Sequence, residues 1–470
     1  MYKSFYLIAS TPTILGRYFL CILLMMLPKL SLEAKQVILK ENIPLERQLT
    51  TPNCSYLLTG EYKLTCNCSI PSNCELVFEG GIIEGPFSLI GNNTYIKAGP
   101  ISIFSSGITL KGSWSNEYCY AEWFGAKGNG KSDDRLSLQK ALDTSIPVLK
   151  LLPKVYLIGS YSDIDTRVGL LVPAKKTIMG HAVDNWSKEY SILAKDNMNF
   201  DVLVQLAGIH ITLRNISVFG ARSNEYSTYK VKDLIATLQD NFYTGLHFDY
   251  VFVSGCLENG INLYTYNSKL ENCYATNCNV AFYIHGGNGR GTSVHLLMCT
   301  AERARTYGYK ISQMGYSILQ VCAADHCALG TTTMDHNIGD SFGYNYFFDD
   351  CRGITAISCA NEVGGFSHYI NECRGISIRT GRYTNNGLRE YADWNDSLSS
   401  RMWVINSSRD IEICQTTIAS PILEGVGIIS IDSSTSNVRI EQGSYFNQKG
   451  WYVPVSRKNV MCDNGKVVIE

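Results

Sequence analysis

Ala121-Glu122-Trp123-Phe124-Gly125-Ala126-Lys127-Gly128-Asn129-Gly130-Lys131-Ser132-Asp133-Asp134 is the stretch on which the reading of this chain turns. Three glycines in six residues mark a tight entry. Ser132 or Asp133 is then read as a helix cap, because a short side-chain oxygen can accept from the free N–H groups of a first turn. Leu138, Ala141 and Leu142 follow at helical spacing and share one apolar face. A single short amphipathic helix in an otherwise strand-like chain is what the open end of a solenoid needs, since a stacked coil exposes its apolar cross-section there.

On both sides of the stretch the sequence reads as short strands. Upstream, 37–39, 62–65, 74–79, 94–98 and 106–112 alternate with Gly and Asn turn signals, and are read as an N-terminal cap or small β module. Downstream, strand-like segments recur at 155–158, 215–218, 245–248, 260–264, 280–284, 307–311, 345–348, 366–370, 402–405, 411–414 and 427–431. Their spacing of roughly twenty or more residues predicts one coil per repeat. Without long amphipathic helices, a helix-covered parallel sheet is excluded. Cys273, Cys299, Cys322 and Cys359 each close a short apolar or β-prone segment, and Cys351 and Cys373 lie 22 residues apart. Thiols returning at one place in each coil predict an internal ladder, free cysteine packing as a small hydrophobe. Disulfides stay open among Cys54, Cys66, Cys68 and Cys74.

The motif resembles the entry segment of the pectate-lyase-like right-handed parallel β-helix superfamily, which includes phage tailspike-like depolymerases. Phe124, Gly125, Ala126, Gly128, Gly130, Asp133, Asp134, Gln139 and Ala141 carry the resemblance. Arg135 stands where a small hydroxyl residue is usual, and Lys154 where glycine is common. The resemblance implies an all-β, single-stranded right-handed parallel β-helix with a short N-terminal capping α-helix. It assigns Asp133 and Asp134 to the cap rather than to chemistry. The division expected is 1–34 signal peptide, 35–118 N-terminal β-rich module, 119–440 β-helix and 441–470 C-terminal strand or cap segment.

Among 470 residues, 41 basic against 42 acidic side chains give a net charge of -1, which leaves no broad electrostatic footprint for nucleic acid. Lys3 and Arg17 precede the apolar run 18–27, a pattern read as a signal peptide ending near Ala34, so the protein is expected to be secreted, periplasmic or on the cell surface. The expected partner is a polysaccharide or complex glycan, and the expected state a monomer or homotrimer.

Tyrosine joins an apolar ring to a hydroxyl and so suits a sugar's CH faces and hydroxyl edges. Tyr264, Tyr283, His285, Tyr309, Lys310, His326 and His336 are the candidate substrate-binding residues. A glycosidase needs two carboxyl groups across the scissile bond, and Asp325, Asp335, Asp349 and Asp350 are the catalytic candidates, with Glu302 and Asp249 on earlier coils. Coils about 4.8 Å apart bring carboxylates one or two turns apart within reach of each other. A uronate lyase is the alternative: it needs a base and a cation beside the carboxylate, which His285, His326 or His336 with Lys310, Arg303 and Arg305 would supply. A noncatalytic glycan-binding or structural spike is the rival from another class. Cys322, His326 and Cys327 are read as ladder and turn residues rather than metal ligands, and no cofactor is expected.

Overall fold

The computed structural model describes residues 35–181, 191–238, 243–287, 291–329, 343–384, 403–419, 429–441, 445–448, 451–454, 460–462 and 467–469. The 1–34 segment, Asp335 and His336 lie outside the described residues.

From Tyr118 to the C-terminal strands the chain forms one long sheet in which strands pair in parallel with strands one coil earlier and later, apart from one C-terminal hairpin. Parallel pairing of successive coils is the right-handed β-helix, the hand that right-twisted strands impose on crossovers. Each full coil carries three short strands and so three faces. In the middle of the molecule the first face is formed by Asn259–Tyr266, the end of Tyr274–His285, the end of Thr300–Ser312, Tyr344–Asp349 and Phe366–Asn371. The second is Ser268–Glu271, Val294–Leu297, Ile318–Gln320, Thr355–Ile357 and Arg374–Arg379. The third is the start of Tyr274–His285, the start of Thr300–Ser312, Ala323–Asp325 and Ala360–Asn361.

Inward positions stack like on like. Phe282, Tyr309, Tyr346, His368 and Trp403 occupy one register column. Their rings lie 5.1, 5.1, 5.0 and 4.0 Å apart in sequence and within 25° of parallel. Tyr309 therefore points inward: it is fully buried and its hydroxyl donates to the Cys299 and Ala323 carbonyls at 2.6 and 2.9 Å. The cysteine ladder is present too. Cys299, Cys322 and Cys359 are buried, each donating to a carbonyl of the preceding coil at Leu270, Leu296 and Leu319. Thr416 continues the pattern with a hydroxyl, donating to Ile378 O at 3.5 Å. The N-terminal cysteines Cys54, Cys66, Cys68 and Cys74 are free thiols.

Among the described residues the one α-helix is Arg135–Leu142, and its buried residues are Leu138, Ala141 and Leu142. Its N-cap is Asp134 rather than Ser132 or Asp133. The Asp134 carboxylate turns back instead, accepting from the N–H groups of Lys127 and Gly128 at 2.6 and 3.0 Å and so tying down the glycine-rich entry. Asp133 accepts from Arg135 N and Gly159 N. Lys154, the departure from the motif, pairs at 3.0 Å with the buried Glu122 carboxylate, which also accepts from the Tyr156 hydroxyl. The helix closes the first coil of the long sheet through Gln139, which bonds Leu171 O, while Lys140 reaches Ile108 O on the other side.

That other side is the segment 35–118, and it is itself a short stack of parallel coils. Lys35–Ile38, Cys54–Leu58, Glu75–Phe78 and Ser88–Lys97 pair in order and in parallel. Asn53, Asn73 and Asn93 turn its corners at φ of 55°, 56° and 53°, and their amides form a ladder with bonds of 3.1 and 2.8 Å. The apolar core runs without a break from Leu39 to Val460. At the far end the last strands continue the parallel stack, with Tyr445–Gln448 and Trp451–Pro454 folding as an antiparallel hairpin.

Candidate functional site

The first face ends each strand with the same triplet: an outward residue, a buried apolar one, then an outward residue. The middle positions Leu263, Ile284, Ile311, Phe348 and Ile370 are all buried. One outward column is therefore Asn262, Tyr283, Lys310, Phe347 and Tyr369, and the next is Tyr264, His285, Ser312, Asp349 and Asn371. Four of the candidates chosen from sequence, Tyr264, Tyr283, His285 and Lys310, thus share this face with Asp349.

His285 is 7% exposed and stacks on Tyr283 at 4.3 Å, with Tyr264 at 5.2 Å. Burial first, and then the Lys310 charge, lower its pKa to about 4, so the ring is neutral at physiological pH. Its Nε2 meets Asn262 Oδ1 at 3.0 Å. Asn262 Nδ2 donates in turn to Asp233 at 2.7 Å. The Lys310 ammonium lies over the Tyr283 ring at 4.5 Å and 5.7 Å from that of Tyr307. Burial pulls Lys310 below the ordinary ammonium range, and Asp349 opposes that shift. Burial likewise raises the Tyr283 phenol, with Ser312 lowering it and Asp349 raising it, so its proton stays on. Further along, Phe347 and Tyr369 stack at 5.1 Å and 4°, and Asn371 donates to Asp349 at 2.8 Å.

Asp325 sits elsewhere, on the third face. It lies one coil from Glu302 in direct register, with Thr276 one coil earlier still. The buried Glu302 carboxylate accepts from the Tyr274 and Thr276 hydroxyls and pairs with Arg303 at 3.1 Å. Asp325 pairs with His326 at 2.8 Å. Burial pushes the Asp325 carboxyl up, but the His326 hydrogen bond and charge prevail and hold it below its usual value. The Asp325 hydrogen bond raises His326, against burial. His326 occupies a corner at φ 51°. Asp350 is likewise a corner residue, at φ 48°, whose N–H donates to Asn371 O. The described carboxylates do not converge as one group: Asp325 stands with Glu302, and Asp349 with Lys310 and Asn371. Nor do Arg303 and Arg305 join Lys310, since Arg303 pairs with Glu302 and Arg305 lies over Tyr226 at 5.4 Å.

Sequence reasoning passed over Asn262, Asp233, Phe347 and Tyr369. The signal was present: Asn262-Leu263-Tyr264, Tyr283-Ile284-His285, Lys310-Ile311-Ser312, Phe347-Phe348-Asp349 and Tyr369-Ile370-Asn371 are the same triplet repeated. Among the described residues, the three that could group around a metal ion are Glu412, Cys414 and Glu441, away from both clusters. Arg379 bonds Glu412 at 2.5 Å, which already balances that carboxylate.

No family model and no curated protein matches the chain. Solved structures do resemble it in fold. A DFA-IIIase from Arthrobacter chlorophenolicus aligns with a TM-score of 0.53 at 11% identity, over 76% of this chain and 98% of that one. An Acinetobacter phage tailspike aligns at 0.51 and 13%, over 73% of this chain and 65% of its own length. Tailspike protein 2 of an Escherichia coli O157:H7 bacteriophage gives 0.50 and 12%, over 75% and 46%. The chain thus spans about two thirds of the first tailspike and under half of the second. At these identities the likeness is one of fold, a right-handed parallel β-helix, and fold alone does not carry function.

Proposed function

We propose that this β-helix is an exported, carbohydrate-active protein that binds an acidic polysaccharide across its first face and cleaves it by elimination. The observation that carries this reading is a neutral imidazole, His285, next to an ammonium, Lys310, on neighbouring coils of one aromatic face. A uronate carboxylate beside Lys310 would have its charge offset, which acidifies the hydrogen on C5. The imidazole lone pair takes that proton, the C5 electrons form a C4=C5 double bond, and the C4–O bond opens. The departing oxygen takes a proton, and the Tyr283 phenol, 4.3 Å from the imidazole between ring centres, is held in its protonated form. Phe347 and Tyr369, both partly exposed, supply apolar ring surface along the first of the two outward columns.

Hydrolysis is the second reading, favoured by the register of Glu302 with Asp325. Coils about 4.8 Å apart suit the 5–5.5 Å that a retaining glycosidase needs between carboxyl groups. It is weaker because His326 holds the Asp325 carboxyl below its usual value, whereas a general acid must hold its proton, and Glu302 is already paired with Arg303. A noncatalytic glycan-binding spike, as monomer or homotrimer, is the remaining reading.

The test is incubation of the purified protein with acidic and neutral polysaccharides, followed by product mass and ultraviolet absorbance. Unsaturated oligosaccharides that disappear in Lys310→Met and His285→Gln support elimination. Saturated products lost in Glu302→Gln move the chemistry to the third face. Binding without cleavage rejects both enzymatic readings.

A further inference from the structure

We infer that Asp233 is a positioning residue that, through Asn262, selects which ring nitrogen of His285 carries the proton. The inference rests on the reading of His285 as the base, and its geometry is independent of the substrate. Asp233 is 8% exposed, yet its carboxylate is fully engaged. Oδ1 accepts from the Asn259 backbone N–H at 3.1 Å and from Asn259 Nδ2 at 2.7 Å, and Oδ2 accepts from Asn262 Nδ2 at 2.7 Å. Asn262, 7% exposed, sits one coil below Tyr283 and at its level on the strand, so its amide lies beside the His285 ring.

Burial raises the Asp233 pKa, and the hydrogen bonds from Asn262 and Asn259 oppose that shift. Its Oδ1 is already held as an acceptor by the two Asn259 N–H donors, and Oδ2, as an acceptor, requires Asn262 to turn its NH2 toward Asp233. That leaves the amide oxygen toward His285 Nε2, at 3.0 Å. An amide oxygen also only accepts, so Nε2 must carry the hydrogen. A neutral imidazole has one N–H, and Nδ1 is therefore the lone pair. Without the acceptor at Asp233, the Asn262 amide is free to rotate half a turn and present NH2 to Nε2, which would move the proton to Nδ1 and block that atom as a base. The charged and titratable groups around the ring are Lys310 from the next coil, with Tyr283 and Tyr264, and Lys310 opposes protonation of the imidazole without choosing between the nitrogens.

The experiment is ¹⁵N NMR of the full protein with labelled histidine, the His285 signals being assigned by their loss in His285→Gln. The expected result at neutral pH is the Nε2–H tautomer, lost in Asp233→Asn, whose one carbonyl oxygen is claimed by the two Asn259 donors so that its NH2 faces Asn262 and turns that amide over. In Asp233→Val a mixture with Nδ1–H is expected, with kcat on a cleaved polysaccharide falling roughly 100-fold and KM nearly unchanged. Asn262→Leu, which removes the acceptor without touching Asp233, should give the same mixture. An Nδ1–H tautomer in the unsubstituted protein would overturn the inference, as would an Nε2–H signal unmoved in Asp233→Val or, if that variant does not fold, in Asn262→Leu. A correct tautomer in a protein that makes no unsaturated product would sink the elimination reading and leave the relay standing.

Discussion

A buried neutral histidine has a stability signature as well as a chemical one. The His285 pKa is lowered from 6.5 to about 4 in the folded protein, by burial and then by Lys310. Between those two values the unfolded chain binds the proton and the folded chain does not, so stability falls as pH falls through this window and the loss is complete below about 4. The size is on the order of 3 kcal/mol. His285→Gln should therefore flatten the pH dependence of the urea midpoint between pH 6.5 and 4. An unchanged slope would mean that the ring is not held neutral. His368, fully buried in the aromatic stack, is also held well below its ordinary value by burial and adds to the acid sensitivity that remains. At this scale the sequence was partly legible. Tyr283, His285 and Lys310 could be chosen by chemical type, but Tyr309 could not be told from them, because an aromatic residue one place out of phase on a strand points into the core.

At the level of the element, corners rather than strands distinguish the N-terminal coils. Asn53, Asn73 and Asn93 recur every 20 residues, each in the left-handed region and each bonded to its neighbour. Asparagine tolerates that conformation better than residues with a plain Cβ. Asn73→Ala should lower stability by about 1–2 kcal/mol and Asn73→Gly by less, since glycine loses the ladder bonds but not the backbone conformation. Equal losses in urea unfolding would reject the backbone argument. The spacing of these three residues was the sign that 35–118 is a coil stack rather than an unrelated module. It is easily missed, since a single Asn in a turn is so common. The cysteine ladder was legible for the opposite reason: thiols are scarce enough for their return to stand out.

Over the whole molecule, the unbroken core predicts one cooperative body. Phe104 and Phe124 rings meet at 5.5 Å, Trp123 Nε1 donates to Gly99 O, and Ile103 and Phe104 N–H groups both reach Trp123 O. Removing 35–118 would expose Trp123, Phe124 and Cys119, all now buried. The 119–470 fragment is expected to aggregate or bind a hydrophobic dye, while the protein from residue 35 onward melts in a single transition. Two resolved transitions, or a soluble and dye-silent fragment, would show that the two stacks are separate units.

The sequence by itself determined the coil. The glycine-rich entry, the one amphipathic helix and the recurring short strands depend on local conformation and on a period, and both can be read along a chain. It also determined which kinds of side chain were available for chemistry. Only the tertiary structure decided which of them meet. Register across coils sets neighbours that lie twenty to forty residues apart, and unequal corner lengths hide that register from any fixed spacing. Hence Asp325 joins Glu302 while Asp349 joins Lys310, and Asp233 acts on a histidine 52 residues away through one amide.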